Sequence, residues 1–175
     1  ITGDTGTNTL TLAEDGNTIS LTLSSIEGIT GGGGVDNVTL TATIGASGSG
    51  ASINLGSGAD VLNLASGTNY LSLSDTAGGV TLNGTTGADT LVFSSGISSG
   101  SAVALNLGSG ADVVTLAGTG NTLTIADAAG ATGLALTGST GADLITLTTT
   151  VGASGNGNAA TFNLGTGADA IILAT

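Results

Sequence analysis

Short runs of alternating apolar and small polar residues recur along the whole chain. The clearest is segment 38–44, which reads Val-Thr-Leu-Thr-Ala-Thr-Ile. Such alternation places apolar side chains on one face of an extended strand and polar side chains on the other. No segment has the i, i+3, i+4 apolar spacing of an amphipathic helix, and glycine punctuates the pattern throughout. The pattern therefore predicts an all-β protein made of many short strands.

A five-strand unit repeats along this pattern with a period of roughly 54 residues, long enough for a repeat architecture. Its most regular part is the turn and strand Asn-Leu-Gly-Ser-Gly-Ala-Asp-Val-Val-Thr-Leu at 106–116, which returns nearly unchanged at 54–64 and 163–173. A sister version with the same Gly-Ala-Asp core occupies 84–93 and 138–147. Internal repetition this close favours a solenoid, in which like residues stack coil upon coil, over a sandwich or a closed barrel.

The spacing of the turn aspartates predicts the length of a coil. The intervals between successive aspartates differ from one another but scatter around a common mean of roughly 27 residues, a plausible solenoid repeat. One aspartate per coil would give a three-sided, right-handed parallel β-solenoid of about six coils with a thin core of Leu, Val and Ile. The competing interpretation is a two-sided roll of ~18 residues per coil, suggested by the nine-residue offsets from Asp60 to Asn69 and from Asp112 to Asn121. The pattern favours the three-sided β-helix or a hybrid of the two forms.

The repeat predicts a single solenoid domain over residues 1–175, with about three cycles. Neither end of the sequence carries the polar capping repeat that an open solenoid requires for solubility. We therefore expect a segment of a longer chain, or coil ends that stack end to end or laterally on other copies in a homopolymer.

Composition excludes several classes of function. The chain has no Lys, Arg, His or Cys, and its 12 acidic residues give a net charge of −12. Nucleic-acid binding needs clustered Lys and Arg, and the usual catalytic triads and zinc sites need His or Cys. The acids are also spread evenly along the repeats, so we expect no catalytic residues and no enzyme. No apolar run is long enough to span a bilayer, so no membrane insertion is expected.

The repeated aspartate has two interpretations. Stacked coils lie about 4.8 Å apart, so like charges at one corner would repel with no cation in the chain to balance them. Calcium between successive turns would remove this repulsion, with carboxylates and glycine-turn carbonyls as ligands. Alternatively each aspartate only closes its own turn, as expected for Asn69 and Asn121. The candidate ligands are the carboxylates of Asp36, Asp60, Asp89, Asp112, Asp143 and Asp169, with the carbonyls of Gly56, Gly58, Gly84, Gly87, Gly108, Gly110, Gly138, Gly141, Gly165 and Gly167.

The turn resembles the repeats-in-toxin nonapeptide of secreted bacterial proteins, Gly-Gly-x-Gly-x-Asp-x-aliphatic-x. Segment 56–62, Gly-Ser-Gly-Ala-Asp-Val-Leu, matches from the second glycine onward, and 84–91 keeps the first glycine and lacks the second. The incomplete glycine pair looks more like the repeats of surface-layer proteins and giant adhesins. The resemblance implies a calcium-binding parallel roll, type I secretion and a location outside the cell or on its surface.

The expected function is structural: a calcium-stabilised segment of a bacterial surface layer, filament or matrix fibre. Alternatives are the stalk of a secreted adhesin and the calcium-folding export tail of a secreted enzyme or toxin, with a cell-surface polysaccharide as a further candidate partner. Ice binding is a more remote alternative, suggested by Thr-x-Thr pairs such as Thr39/Thr41 and Thr146/Thr148. It is more remote because threonine is also simply a good exposed strand residue.

Overall fold

The computed structural model describes residues 1–74, 78–126, 133–149 and 159–173. Within these ranges the chain forms sixteen short strands and no helix, so the all-β prediction is confirmed. The strands assemble into two eight-stranded parallel sheets, and consecutive strands alternate between them. In the same ranges no helix is long and apolar enough to cross a membrane.

The first sheet, sheet I, contains the odd-numbered strands, and sheet II contains the even-numbered strands. Sheet I consists of β1 (Thr9–Thr11), β3 (Gly28–Thr30), β5 (Ala51–Asn54), β7 (Tyr70–Leu73), β9 (Thr90–Phe93), β11 (Asp112–Thr115), β13 (Leu134–Thr140) and β15 (Thr161–Thr166). Sheet II consists of β2 (Thr18–Leu21), β4 (Asn37–Leu40), β6 (Asp60–Asn63), β8 (Val80–Asn83), β10 (Val103–Asn106), β12 (Thr122–Ala126), β14 (Leu144–Leu147) and β16 (Ala170–Ile172).

One strand of each sheet makes one coil, so the protein is a two-sided parallel β-solenoid of about seven turns. The coil length is about 22 residues. It varies because the turns differ in length: the step from Thr9 to its partner Gly28 is shorter than the step from Thr137 to its partner Asn163. The predicted solenoid is confirmed. The expected coil of 27 residues, the six coils and the preferred three-sided form are wrong, and the competing ~18-residue roll has the correct number of sides but too short a coil.

The error in coil length came from the assumption of one aspartate per coil. Asp36 and Asp60 are one coil apart, but Asp60 and Asp89 are separated by three strands, which is one and a half coils. A cycle of five strands on a coil of two strands advances by two and a half coils. Successive cycles therefore present the same residues at opposite edges of the solenoid.

The core consists of rows of aliphatic side chains that stack along the solenoid axis. One row in sheet I runs through Ile29, Ile53, Leu73 and Phe93, which pair in register and are each at most 2 % exposed. Burying one such side chain contributes roughly 1.5–3 kcal/mol. Outward positions carry mostly Thr, Ser and Asn, so the alternation in sequence becomes an apolar interior and a polar exterior.

Candidate functional site

The predicted site aspartates do not form one ladder; they lie in three stacks of three residues, each spanning three successive coils. Each stack holds an asparagine, a middle aspartate and a terminal aspartate, one just before or at the start of each strand. Two stacks lie at the edge that leads into sheet II, and the other lies at the edge that leads into sheet I. The stacks are Asn17–Asp36–Asp60, Asn69–Asp89–Asp112 and Asn121–Asp143–Asp169.

The same hydrogen bonds join the members of every stack. In the first, the backbone N–H and Nδ2 of Asn17 donate to Oδ1 of Asp36 at 2.8 and 2.7 Å, and the N–H of Asp36 donates to Oδ1 of Asp60 at 2.8 Å. The corresponding distances are 2.9, 2.9 and 2.9 Å in the second stack and 2.9, 2.8 and 3.0 Å in the third. Hydrogen bonds to a charged acceptor are among the stronger ones, so they offset part of the repulsion between neighbouring carboxylates.

The asparagine of each stack also closes its own turn. Nδ2 of Asn69 donates to the carbonyl oxygens of Ala65 and Gly67 at 3.0 and 3.1 Å. Nδ2 of Asn121 makes the same pair of bonds to Ala117 and Thr119. The turn-closing role predicted for both asparagines is confirmed. Their second role, as donors to the aspartate of the next coil, was not predicted.

Sequence reasoning missed two related contacts near the start of the chain. Asn17 heads the first stack although its turn is only loosely related to the others. Asn8 donates through its backbone N–H to Oε2 of Glu27 at 2.7 Å, so a glutamate takes the place of a middle aspartate there. The signal was present in the nine-residue steps that separate Asn8 from Asn17 and Asp60 from Asn69.

Burial distinguishes the stacks from ordinary surface turns. Asp36, Asp60, Asp89, Asp112 and Asp143 are each at most 1 % exposed, while Asp169 is half-buried. Oδ2 of Asp36 and Oδ2 of Asp143 are buried and have no hydrogen-bond partner among the described residues. A buried polar atom without a partner carries a desolvation cost of about 1–3 kcal/mol, and more when it is charged.

Desolvation also changes the acidity of the second stack. Burial raises the pKa of the Asp89 carboxyl above its ordinary value, and the two hydrogen bonds from Asn69, first from its side chain and then from its backbone, oppose that rise. A raised pKa means that the buried site favours the neutral form of this carboxyl.

The middle aspartates share a second feature, a glycine five residues earlier. A Cβ added at Gly31 would collide with both Oδ2 of Asp36 and the carbonyl oxygen of Leu55 in the next coil. At Gly138 it would collide with Oδ2 of Asp143 and the carbonyl oxygen of Leu164. The second stack repeats the arrangement, where a Cβ at Gly84 would lie 3.0 Å from Oδ2 of Asp89 and would collide with the Leu107 carbonyl oxygen. Each middle carboxylate oxygen therefore lies close to a carbonyl oxygen of the next coil, on the side of a glycine where another residue would carry its Cβ.

The other predicted glycines have a steric role in the turns. Gly110 and Gly167 have φ values of 153° and 151°, and an added Cβ would collide with the carbonyl oxygens of Gly87 and Gly141 in the preceding coil. Left-handed backbone and close approach of a neighbouring turn both require glycine. The same holds, with different backbone partners, for five more of the predicted turn glycines: Gly56, Gly87, Gly108, Gly141 and Gly165. Gly58, at a φ of 152°, faces the carbonyl oxygen of Gly34 in the same manner.

A cation at these stacks would draw on carboxylate and carbonyl oxygens, which are the ligands that calcium prefers. Within the described ranges no three acidic side chains come together around one point. Calcium takes six to eight oxygens, so a bound ion would need carbonyl or water oxygens for most of its shell. The donor chemistry is suitable, and the Oδ2 atoms of Asp36 and Asp143, buried and unpartnered within the described part of the chain, are candidate ligands for such an ion.

Comparisons with known proteins add no family to this description. No family model matches the chain, and neither a curated protein nor a solved structure matches it.

Proposed function

We propose that this chain is a structural segment of an extracellular bacterial assembly, such as a surface layer, filament or matrix fibre. One observation carries the proposal: the strands from β2 to β14 share the same buried apolar core, and parallel pairing continues through both sheets from β1 to β16. About seven turns at about 4.8 Å each give a rod of ~34 Å, and added cycles would lengthen it without a new kind of contact. Rigidity and length, rather than catalysis, are what such a repeat provides.

Calcium is the proposed stabilising ion of this segment. Two carboxylates about 5 Å apart repel by roughly 3 kcal/mol at an effective dielectric near 20, and the chain has no Lys or Arg to compensate. Bound calcium would supply the missing positive charge. The protein would orient the carboxylates through the hydrogen bonds from the asparagine of each stack. It would also keep other hydrogen-bond donors away from the remaining carboxylate oxygens.

The proposed partners are further copies of this chain or of its parent protein, side by side or end to end, with a surface polysaccharide as the other candidate. The outer face of sheet II supports lateral contact, because it presents neutral amides and hydroxyls. Nδ2 of Asn83 donates to Oδ1 of Asn63 at 2.9 Å, and Nδ2 of Asn63 donates to the Thr39 hydroxyl at 3.2 Å. An uncharged ladder can approach another surface without the electrostatic penalty that acidic side chains would impose.

Chelation tests the calcium part of the proposal. Circular dichroism and thermal melting are measured in excess calcium, in excess chelator, and in chelator with magnesium restored as the matched ion control. We expect the β signal to weaken or the melting temperature to fall in chelator and to recover with calcium. An unchanged melting curve in all three media would remove calcium from the function.

Electron microscopy tests the assembly part independently. We expect filaments or sheets in material isolated with calcium, and dispersed particles after chelation. Dispersed single rods under both conditions at high protein concentration would contradict a structural polymer and favour the stalk of an adhesin.

A further inference from the structure

The two aspartates of a stack differ in what their side chains contact. Oδ1 of a middle aspartate accepts two hydrogen bonds from the asparagine before it, as Asp36 does from Asn17. Its Oδ2 is left over, and in Asp36 and Asp143 that atom is fully buried with no hydrogen-bond partner among the residues that the structure describes. Oδ1 of a terminal aspartate instead accepts the backbone N–H of the middle aspartate.

The leftover oxygen is close to a second acceptor. Beside Gly31, Oδ2 of Asp36 converges with the carbonyl oxygen of Leu55, and beside Gly138 the partners are Asp143 and Leu164. Two lone-pair-bearing oxygens that face the same small space repel each other unless a bound proton or a positive charge lies between them. The chain contains no Lys, Arg or His that could supply this charge.

A sequence rule separates the two kinds of aspartate. Glycine lies five residues before each middle aspartate, whereas leucine lies five residues before each terminal aspartate. The leucine carbonyl of one coil is the group that meets the glycine of the coil before it. The rule holds in all three cycles, at Gly31/Leu55, Gly84/Leu107 and Gly138/Leu164.

We propose that each stack binds one calcium ion, through Oδ2 of the middle aspartate and the leucine carbonyl of the next coil. This inference rests on the calcium part of the proposed function and specifies its sites. The chain then has three calcium sites, at Asp36, Asp89 and Asp143, rather than one at each of the six turn aspartates. The terminal aspartates Asp60 and Asp112 act as positioning residues, because they hold the backbone of the middle aspartate and add negative charge nearby.

Calcium titration by isothermal calorimetry, with the full chain and calcium chloride as the only added ion, tests the number of sites. We expect three ions per chain, two in Asp36→Asn and two in Asp143→Asn. The matched variant Asp60→Asn keeps three ions with an affinity about fivefold weaker, because only a neighbouring charge is lost. Asp15→Asn, which removes one exposed charge, serves as the surface control.

Thermal melting of the same variants supplies a readout that depends on the chemistry of Oδ2. An asparagine at position 36 can still accept from Asn17 through Oδ1, and its Nδ2 can donate to the Leu55 carbonyl. In chelator we therefore expect Asp36→Asn to have a higher melting temperature than the unmodified chain. Addition of calcium should then raise its melting temperature by less than it raises that of the unmodified chain. This variant should fold, so a change in binding would not reflect a lost structure.

The outcomes separate this inference from the proposal on which it rests. Absence of calcium binding to the unmodified chain would overturn both. Binding of about six ions, or equal loss of one ion in Asp36→Asn and Asp60→Asn, would overturn the assignment of sites and leave calcium stabilisation standing. Unchanged binding in Asp36→Asn would also overturn the assignment.

Discussion

The backbone N–H of Asp89 donates a hydrogen bond of 2.9 Å to Oδ1 of Asp112, one coil further along the axis. A carboxylate thus takes the place that a backbone carbonyl has within a sheet, and it continues the parallel ladder into the turn. Because both residues are buried, the bond lies where water cannot replace it. Each stack is therefore part of the fold as well as a candidate ion site, and the two roles predict different effects of substitution.

Removal of a stack asparagine should be strongly destabilising. Asn69→Ala deletes the Nδ2 bonds to Asp89 and to two carbonyls of its own turn, and it opens a small void at a fully buried position. We expect a loss of about 2–4 kcal/mol in the free energy of unfolding, measured by urea denaturation. The matched control is Asn106→Ala on the exposed face of sheet II, which should change stability by less than about 0.5 kcal/mol. Equal effects of the two variants would contradict a structural role for the stack.

Substitution of a turn glycine should reveal the close approach of adjacent coils. In Gly110→Ala the new Cβ would meet the Gly87 carbonyl oxygen, at a φ of 153° that an alanine rarely adopts. We expect a loss of about 2 kcal/mol or more in the free energy of unfolding. Gly100→Ala is the control, because an added Cβ there meets nothing within 4 Å. If both variants melt at the same temperature as the unmodified chain, the turn is looser than described.

Deletion of a core side chain should destabilise the solenoid by the amount typical of a globular core. Leu73 is fully buried between Ile53 and Phe93 of the adjacent coils. Leu73→Ala should cost about 2–5 kcal/mol, whereas Ser72→Ala on the outward face of the same strand should cost little. Chemical denaturation followed by circular dichroism measures both. A small loss in Leu73→Ala would indicate that the coils repack locally.

Acidification in chelator should stabilise the fold through Asp89. Burial raises the pKa of this carboxyl in the folded state, whereas its unfolded value is about 3.9. The folded state then binds a proton more readily than the unfolded state, so the stability contribution is complete below the unfolded pKa and is lost as the pH rises through the folded pKa. We expect the melting temperature to rise as the pH falls from 7 toward 4, and to rise less in Asp89→Asn. The same increase in both proteins would assign the effect to other carboxyls.

The interior of the solenoid could be predicted from the sequence with few errors. The alternation at 38–44 and the leucines of the repeat predict a thin aliphatic core, and residues such as Val38, Leu40 and Leu62 lie in it. Alternation is readable because the side chains of a strand point to opposite faces, whatever the strand pairs with. The turn-closing asparagines were also predictable, because an Asx turn is a local interaction.

The sequence by itself determined the strands and the five-strand cycle; the tertiary structure decided the number of sides, the grouping of the aspartates and the close approaches between coils that only glycine allows. Asp60 is one coil from Asp36 and one and a half coils from Asp89, yet the two intervals look alike in the sequence. The number of strands that close a coil depends on how sharply each turn bends and on which strands then pair in register. Those are long-range contacts. They give the solenoid its two sides and group the aspartates into three stacks, which lie at opposite edges of the solenoid in successive cycles.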